Sequence, residues 1–358
     1  MISLKSQIRS AASRRVWQLA RSVGVTPRKF LKRSSFDYSL LDQMRQDNAA
    51  SHDPFRASPI WTDLANRFED WFALDGLDRV EEHEMNSFFS QPFPTNPKLL
   101  RYATWLLYKE VERKDRLNLL DIPATASEAS GIGFRFCNRL ISWDQLISID
   151  TLYAIEAVHP KILTERTILA ELGAGWGRIG HILKRANPLA TYVVFDLPEV
   201  LVVSQSHLPN RLPDAKVLNY QNSRTGSLNR ARLQEYDLCF FGAHDLDRVE
   251  PKTFDAFINI ASFQEMRRDQ VEAYCNLINK TLSGCFYTQQ LIDSRTHGYG
   301  VGEIAGRDEY PFPIEWKELT SRTAAWSDLY FEAVFAVNMD LAVGGSAVSD
   351  RLSVEPHR

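Results

Sequence analysis

The chain has 358 residues, 44% of them apolar and 24% charged, with a formal net charge of −3. That length accommodates one large domain or two smaller ones with a buried core, and the composition is ordinary for a globular protein. A near-neutral balance gives no global case for nucleic acid. No apolar run approaches the ~20 residues of a membrane span, and no secretory apolar segment is visible.

The first 36 residues carry nine Lys or Arg, from Lys5 to Arg33, and no acid. Ile8, Ala12, Val16, Leu19 and Val23 recur at helical spacing, which describes a basic amphipathic helix that Thr26 and Pro27 would end. Three readings stay open: a segment lying on an anionic membrane face, a transit peptide, or a solvated disordered tail. The expected location is the cytoplasm, with a peripheral contact through residues 1–36 at the inner membrane face. Cys137, Cys239, Cys275 and Cys285 are scattered without a C-x-x-C pair, and they read as reduced core thiols.

Residues 37–130 read as a helical subdomain packed against, or lidding, a catalytic sheet built by the rest of the chain. Trp61, Leu64, Phe68, Trp71 and Phe72 mark one apolar face, and Leu99, Leu100, Tyr102, Trp105, Leu106 and Leu107 mark another. The Pro-rich interval 91–97 separates them. An aromatic stripe at this spacing reads as core. Residues 121–135 are small, polar and contain Gly and Pro, so a linker or covering loop is expected. Residues 143–158 are helical and deliver the chain to the segment that organises the rest.

That segment is ILAELGAGWGRIGH, residues 168–181. A short apolar run reaches an acid at Glu171; Gly173, Gly175 and Gly177 follow, and Ile179, Ile182 and Leu183 continue at helical spacing. The order reads strand, tight glycine turn, helix. Glycine allows positive φ and lets backbone approach a ligand, while the helix start offers free N–H groups and a positive dipole end. A second β-rich run, TYVVFD, ends in Asp196, nineteen residues after Gly177. An acid at that strand tip suits ribose hydroxyls. The dinucleotide fingerprint G-x-G-x-x-G would need glycine where Arg178 stands. The G-x-G-x-G spacing, with Glu171 at the strand end, resembles motif I of class I S-adenosylmethionine-dependent methyltransferases instead.

After Asp196, residues 197–208 are a helix helped by Pro198. Residues 216–220 and 236–242 are both strand candidates, and which of them is the third sheet strand stays open. Residues 254–260 form an apolar strand, residues 261–282 a loop and helix, residues 285–292 a strand, and residues 329–337 a last strand after the Pro/Trp segment 311–316. Residues 343–358 read as disordered. Alternation of this kind specifies an α/β, doubly wound, mostly parallel sheet.

ELGAGWGR, FDLPEV, FINIASFQEM and YPFPIEW, in that order over roughly residues 130–335, resemble the sugar O-methyltransferase family of bacteria. The resemblance implies a Rossmann-like, seven-stranded class I methyltransferase domain over 131–342, with S-adenosyl-L-methionine as cofactor and a sugar or glycan hydroxyl as acceptor. It implies that Glu171, Gly173, Ala174, Gly175, Gly177, Asp196, Leu197 and Asn259 hold the cofactor, and that Asn259 to Glu265 border the reacting methyl, with Ser262 and Gln264 toward the acceptor.

A sugar hydroxyl needs a base as the new bond forms. Glu265, His244 and His297 are the candidates near the carboxyl ends of the strands. Tyr310, Phe312 and Trp316 are candidates for stacking on a sugar or for ordinary packing. Asp245 and Asp247 fall short of a hard-cation shell, and no metal is expected. Two other readings stand beside this one: a nicotinamide-dependent oxidoreductase, and a catalytically idle fold that binds cofactor or a partner. Oligomeric state is not readable from the sequence.

Overall fold

The structure is a computed structural model that describes residues 38–57, 61, 64–65, 68, 77, 97–124, 133–296, 302–325 and 327–339. The basic segment 1–36, Trp71 and Phe72, most of the expected covering loop, His297 and the tail from 343 lie outside the described residues.

Two short strands, β1 (Gly133–Phe136) and β2 (Arg139–Ser142), form an antiparallel hairpin whose first three residues fall at the end of the stretch 121–135 expected to be a linker or covering loop. Cys137 lies in its turn and is exposed, so only three of the four thiols are buried. Eight strands build the main sheet: β3 (Ile168–Leu172), β4 (Thr191–Asp196), β5 (Val217–Leu218), β6 (Leu238–Gly242), β7 (Phe254–Ile260), β8 (Leu282–Leu291), β9 (Lys317–Ala324) and β10 (Ser327–Val337). Their order is β5-β6-β4-β3-β7-β8-β10-β9. Pairing is parallel from β5 through β8, and β10 runs antiparallel to both β8 and β9. The expected seven strands are therefore eight. The one without a sequence candidate is the polar edge strand β9; of the two candidates for the third strand, β6 pairs with β4 directly and β5 is a two-residue strand beside it at the sheet edge.

The parallel strands are covered on both faces, which is why they read as unbroken apolar runs. Every residue of β3, β4 and β6 is buried. On one face the strands pack against α1 (Tyr38–Ala50), α2 (Pro97–Lys114), α3 (Trp143–Val158), α4 (Arg178–Ala186) and α5 (Pro198–Arg211), all within one apolar cluster. On the other face α6 (Arg268–Thr281) contributes Val271, Tyr274, Cys275 and Ile278 to a second cluster, rich in phenylalanine. Helix α1 buries Leu41 and Met44 in the same core as the sheet.

The apolar run on α2 divides differently from its sequence reading. Leu100, Leu107, Tyr108 and Val111 are buried, whereas Leu99, Tyr102, Trp105 and Leu106 are exposed. The run is wider than the stripe one neighbouring layer can cover, so one edge of it faces outward.

The chain reverses direction across the sheet at β3, with β4 on one side and β7 on the other. At such a switch point the connections leave in opposite directions and a crevice opens beyond the carboxyl ends.

Candidate active site

A cleft of about 980 Å³, its open mouth included, lies at that point. The turn after β3 forms its floor. Gly173 has φ +76°, and a Cβ there would come within 2.4 Å of Ser262 Oγ, so only glycine lets the two loops meet. Ser262 is brought in by Ala261, a non-glycine residue at φ +53° whose N–H is held by the Gln289 carbonyl at 2.8 Å. Backbone strain of this sort concentrates at ligand sites. Gly173 N–H donates to the Phe195 carbonyl (2.9 Å), tying the turn to the end of β4.

Both strand-tip acids line the cleft. Asp196 accepts Gly175 N–H through Oδ2 (3.1 Å) and Leu197 N–H through Oδ1 (2.8 Å). Glu171 accepts the Tyr192 hydroxyl. Burial raises both carboxyls: Asp196 to about 8, opposed by its two backbone N–H bonds, and Glu171 to about 7, opposed by Tyr192 and the positive charge of Arg178. Among the described residues neither acid forms an ion pair with a Lys or Arg; the nearby Arg178 pairs with Asp144 at 3.2 Å instead.

The remaining sequence candidates separate clearly. Ala174, Leu197, Ser262 and Glu265 join Glu171, Gly173, Gly175 and Asp196 as lining residues. Gly177 does not line the cleft: it caps α4 at φ +87°, and a Cβ there would run into Leu208. Asn259 is fully buried behind the wall. It donates to the Leu172 carbonyl (2.9 Å) and accepts Phe263 N–H (3.0 Å) and Gln290 Nε2 (2.7 Å), so it brackets the two loops. Gln264 is also buried and accepts Leu291 N–H at 2.8 Å.

Tyr310 and Trp316 are packed into the phenylalanine-rich face of the sheet. Tyr310 donates to the Leu291 carbonyl (2.8 Å) and Trp316 to Asn279 Oδ1 (2.9 Å), with Phe286 4.9 Å from the Trp316 ring. A buried aromatic whose polar atom is satisfied inside the core presents no face to a sugar. His244 lines a separate recess with Asp47, Phe55 and Arg248. Asp245 is occupied by Gly242 N–H (3.0 Å) and Arg248 (2.6 Å), while Asp247 is exposed, so the two do not converge.

Several lining residues carry no motif in the sequence. Arg56, Ala57 and Trp61 arrive from the N-terminal region, and Gln270 and Tyr274 come from α6. Trp61 Nε1 donates to Glu265 Oε2 at 3.1 Å across 204 residues of sequence. Gln270 is the clasp: its Oε1 accepts Arg267 N–H (3.2 Å), and its Nε2 donates to the carbonyls of Pro54 (3.1 Å) and Arg56 (2.9 Å). A single glutamine at a helix start gives no hint of that second role.

No protein-family model matches this chain, and no curated protein does. Solved structures are similar over part of it. The PH0226 protein of Pyrococcus horikoshii OT3 aligns with 52% of this chain and 90% of its own length, at 14% identity and a TM-score of 0.36. Geranyl diphosphate methyltransferase in complex with SAM covers 55% of this chain and 87% of its own, at 12% identity and a TM-score of 0.40. The bifunctional kinase-methyltransferase WbdD covers 57% and 40%, at 16% identity and a TM-score of 0.37. Among the described residues no helix is long and apolar enough to cross a membrane.

Proposed function

We propose that the chain is an S-adenosylmethionine-dependent O-methyltransferase acting on a sugar or glycan hydroxyl. The observation that carries the reading is the pair of buried acids, Glu171 and Asp196, facing one cleft and, among the described residues, ion-paired with no Lys or Arg. Buried carboxylates in that condition favour a ligand that brings positive charge. A sulfonium donor with an α-ammonium group does so. A dinucleotide would instead bring its pyrophosphate to a glycine turn flanked by both acids, which argues against the nicotinamide reading. Gly173 and Gly175 leave the room beside the acids that such a donor needs. The sugar acceptor is supported by the likeness of ELGAGWGR, FDLPEV and FINIASFQEM to the sugar O-methyltransferase family.

When bound, the cofactor supplies an electrophilic methyl group for in-line displacement. The residues of this chain then have three tasks. Asp196 and the 173–175 turn hold the donor, and orientation of the two reactants contributes on the order of 7–11 kcal/mol toward the barrier. Glu265 receives the hydroxyl proton at its carboxylate as the C–O bond forms and the C–S bond breaks. Trp61 fixes that carboxylate by its N–H bond.

Calorimetric titration with S-adenosylmethionine, its demethylated product and NAD tests the donor. Heat with the first two and none with NAD is expected; the reverse pattern sinks the reading. Labelled donor mixed with a panel of sugars and glycans then tests the acceptor. Glu265→Gln should lower turnover by about 10²–10⁴-fold without loss of donor binding. Unchanged turnover in this variant removes Glu265 as the base.

A further inference from the structure

The acids account for one part of the cleft, and the wall supplied by the N-terminal region has the opposite charge. Arg56 lines the cleft together with Trp61 and Glu265. Its position is set from several sides. The Arg56 carbonyl accepts Gln270 Nε2 (2.9 Å), the Phe55 ring packs against Tyr274 with centroids 5.2 Å apart, and Asp53 pairs with Arg267 at 3.1 Å. Arg56 Nε donates to the Ser51 carbonyl at 3.0 Å, which anchors the inner edge of the guanidinium. Among the described residues no carboxylate forms an ion pair with Arg56, although Glu265 lines the same cleft and Asp53 lies three residues before Arg56 in the chain. A guanidinium held at Nε keeps its two Nη groups as a planar fork, a geometry that matches phosphate or carboxylate oxygens.

We infer, on the basis of the methyltransferase reading, that the acceptor carries an anionic oxygen group, phosphate or carboxylate, close to the hydroxyl that is methylated. Arg56 holds that group, and Glu265 stands ready for the proton of the hydroxyl. The acids of the floor serve the cationic donor and Arg56 serves the anionic acceptor, so each reactant meets a group of the opposite charge. The fixed Arg56 also restricts which hydroxyl can reach Glu265, which makes it a specificity-determining residue.

The test uses the full chain saturated with the demethylated donor product. It is titrated in turn with glucose, glucuronate, glucose 6-phosphate and UDP-glucose. At least one of the three anionic probes should bind ten times more tightly than glucose, and which one does so separates carboxylate, phosphate and pyrophosphate as the group recognised. Arg56→Ala should weaken that probe tenfold or more, and Arg56→Lys should recover part of the loss. The demethylated product should bind all three proteins equally, which reports that the cleft is intact. Glucose binding as tightly as every anionic probe, no anionic probe binding, or Arg56→Ala binding like the unaltered protein would each overturn the inference. Failure of the unaltered chain to bind the demethylated product would instead bring down the methyltransferase reading, and the inference with it.

Discussion

Asp150 and Glu332 at the antiparallel end of the sheet, and Glu171 and Asp196 at its parallel centre, are two pairs of carboxylates buried to a similar depth. The first pair is answered from within the protein. Lys114 at the end of α2 pairs with Asp150 of α3, and Arg322 of β9 reaches both Asp150 (3.3 Å) and Glu332 of β10. Tyr287 (3.3 Å) and Gln289 (3.4 Å) donate to Glu332 as well. The second pair has backbone N–H groups and one tyrosine hydroxyl but, among the described residues, no ion pair with a Lys or Arg. Buried charges survive when they are paired, and otherwise take up protons. The Asp150–Glu332 cluster is thus a finished staple joining two helices and two strands. The Glu171–Asp196 pair is the one that, in the proposed function, a cationic donor would complete.

The two pairs should part most widely at Asp196. Asp196→Ala should weaken binding of the cationic donor by roughly ten- to hundredfold, the loss expected for a charged hydrogen-bond partner. Calorimetric titration reads it directly, and an unchanged affinity would remove Asp196 from the donor site. At the staple the expected damage is to stability. Arg322→Ala leaves Glu332 and Asp150 short of a cation, and about 2 kcal/mol should be lost in urea unfolding. That figure lies below the ~3–5 kcal/mol typical of a broken buried pair, because the Arg322 side chain is 45% exposed. Donor affinity should stay the same, since the staple does not touch the cleft; a shift in both quantities would erase the distinction between the two pairs.

Proton linkage separates the pairs further. In the unfolded chain Glu171 and Asp196 lose their protons near pH 4, but in the free folded protein they keep them to about 7 and about 8. Their protonated forms therefore stabilise the free protein fully below about pH 4, and this contribution is lost as pH rises through 7 to 8. The melting temperature of the free protein should fall across that window. Donor affinity should rise across it, because the donor prefers ionised acids. Glu332 is also raised by burial, against the pull of Arg322, and adds to the fall. Asp196→Ala isolates the cleft's share: a melting curve with the same pH slope as the unaltered protein would mean that Asp196 contributes none of it. The smallest effect is at Trp61. Trp61→Phe removes one hydrogen bond to Glu265, worth about 1 kcal/mol. Turnover should fall several-fold while donor affinity holds; an equal loss in both would make Trp61 a packing residue only.

The features legible in the sequence are those whose cause is local. Glycine at 173, Glu171 before it and Asp196 at the next strand tip could be read because a positive φ and an unbroken apolar strand each leave a mark within a few residues. Strand β9 left none. Lys317–Ala324 is a polar edge strand, mostly exposed, and its sequence looks like a loop. Tyr310 and Trp316 are a miss of another kind, since an aromatic near a strand end reads the same in a core as in a binding wall. Their hydrogen bonds to Leu291 and Asn279 put them in the core.

Alone, then, the sequence determined the α/β class, the glycine turn and the acids at the tips of β3 and β4, because backbone sterics and burial on both faces act on neighbouring residues. Only the tertiary structure decided that Arg56 and Trp61 wall the same cleft, that Gln270 clasps Arg56 there, and that one buried acid pair is ion-paired while the other, among the described residues, is not. Those outcomes depend on which side chains meet across some two hundred residues of chain, as Trp61 and Glu265 do, and no local pattern records such a meeting.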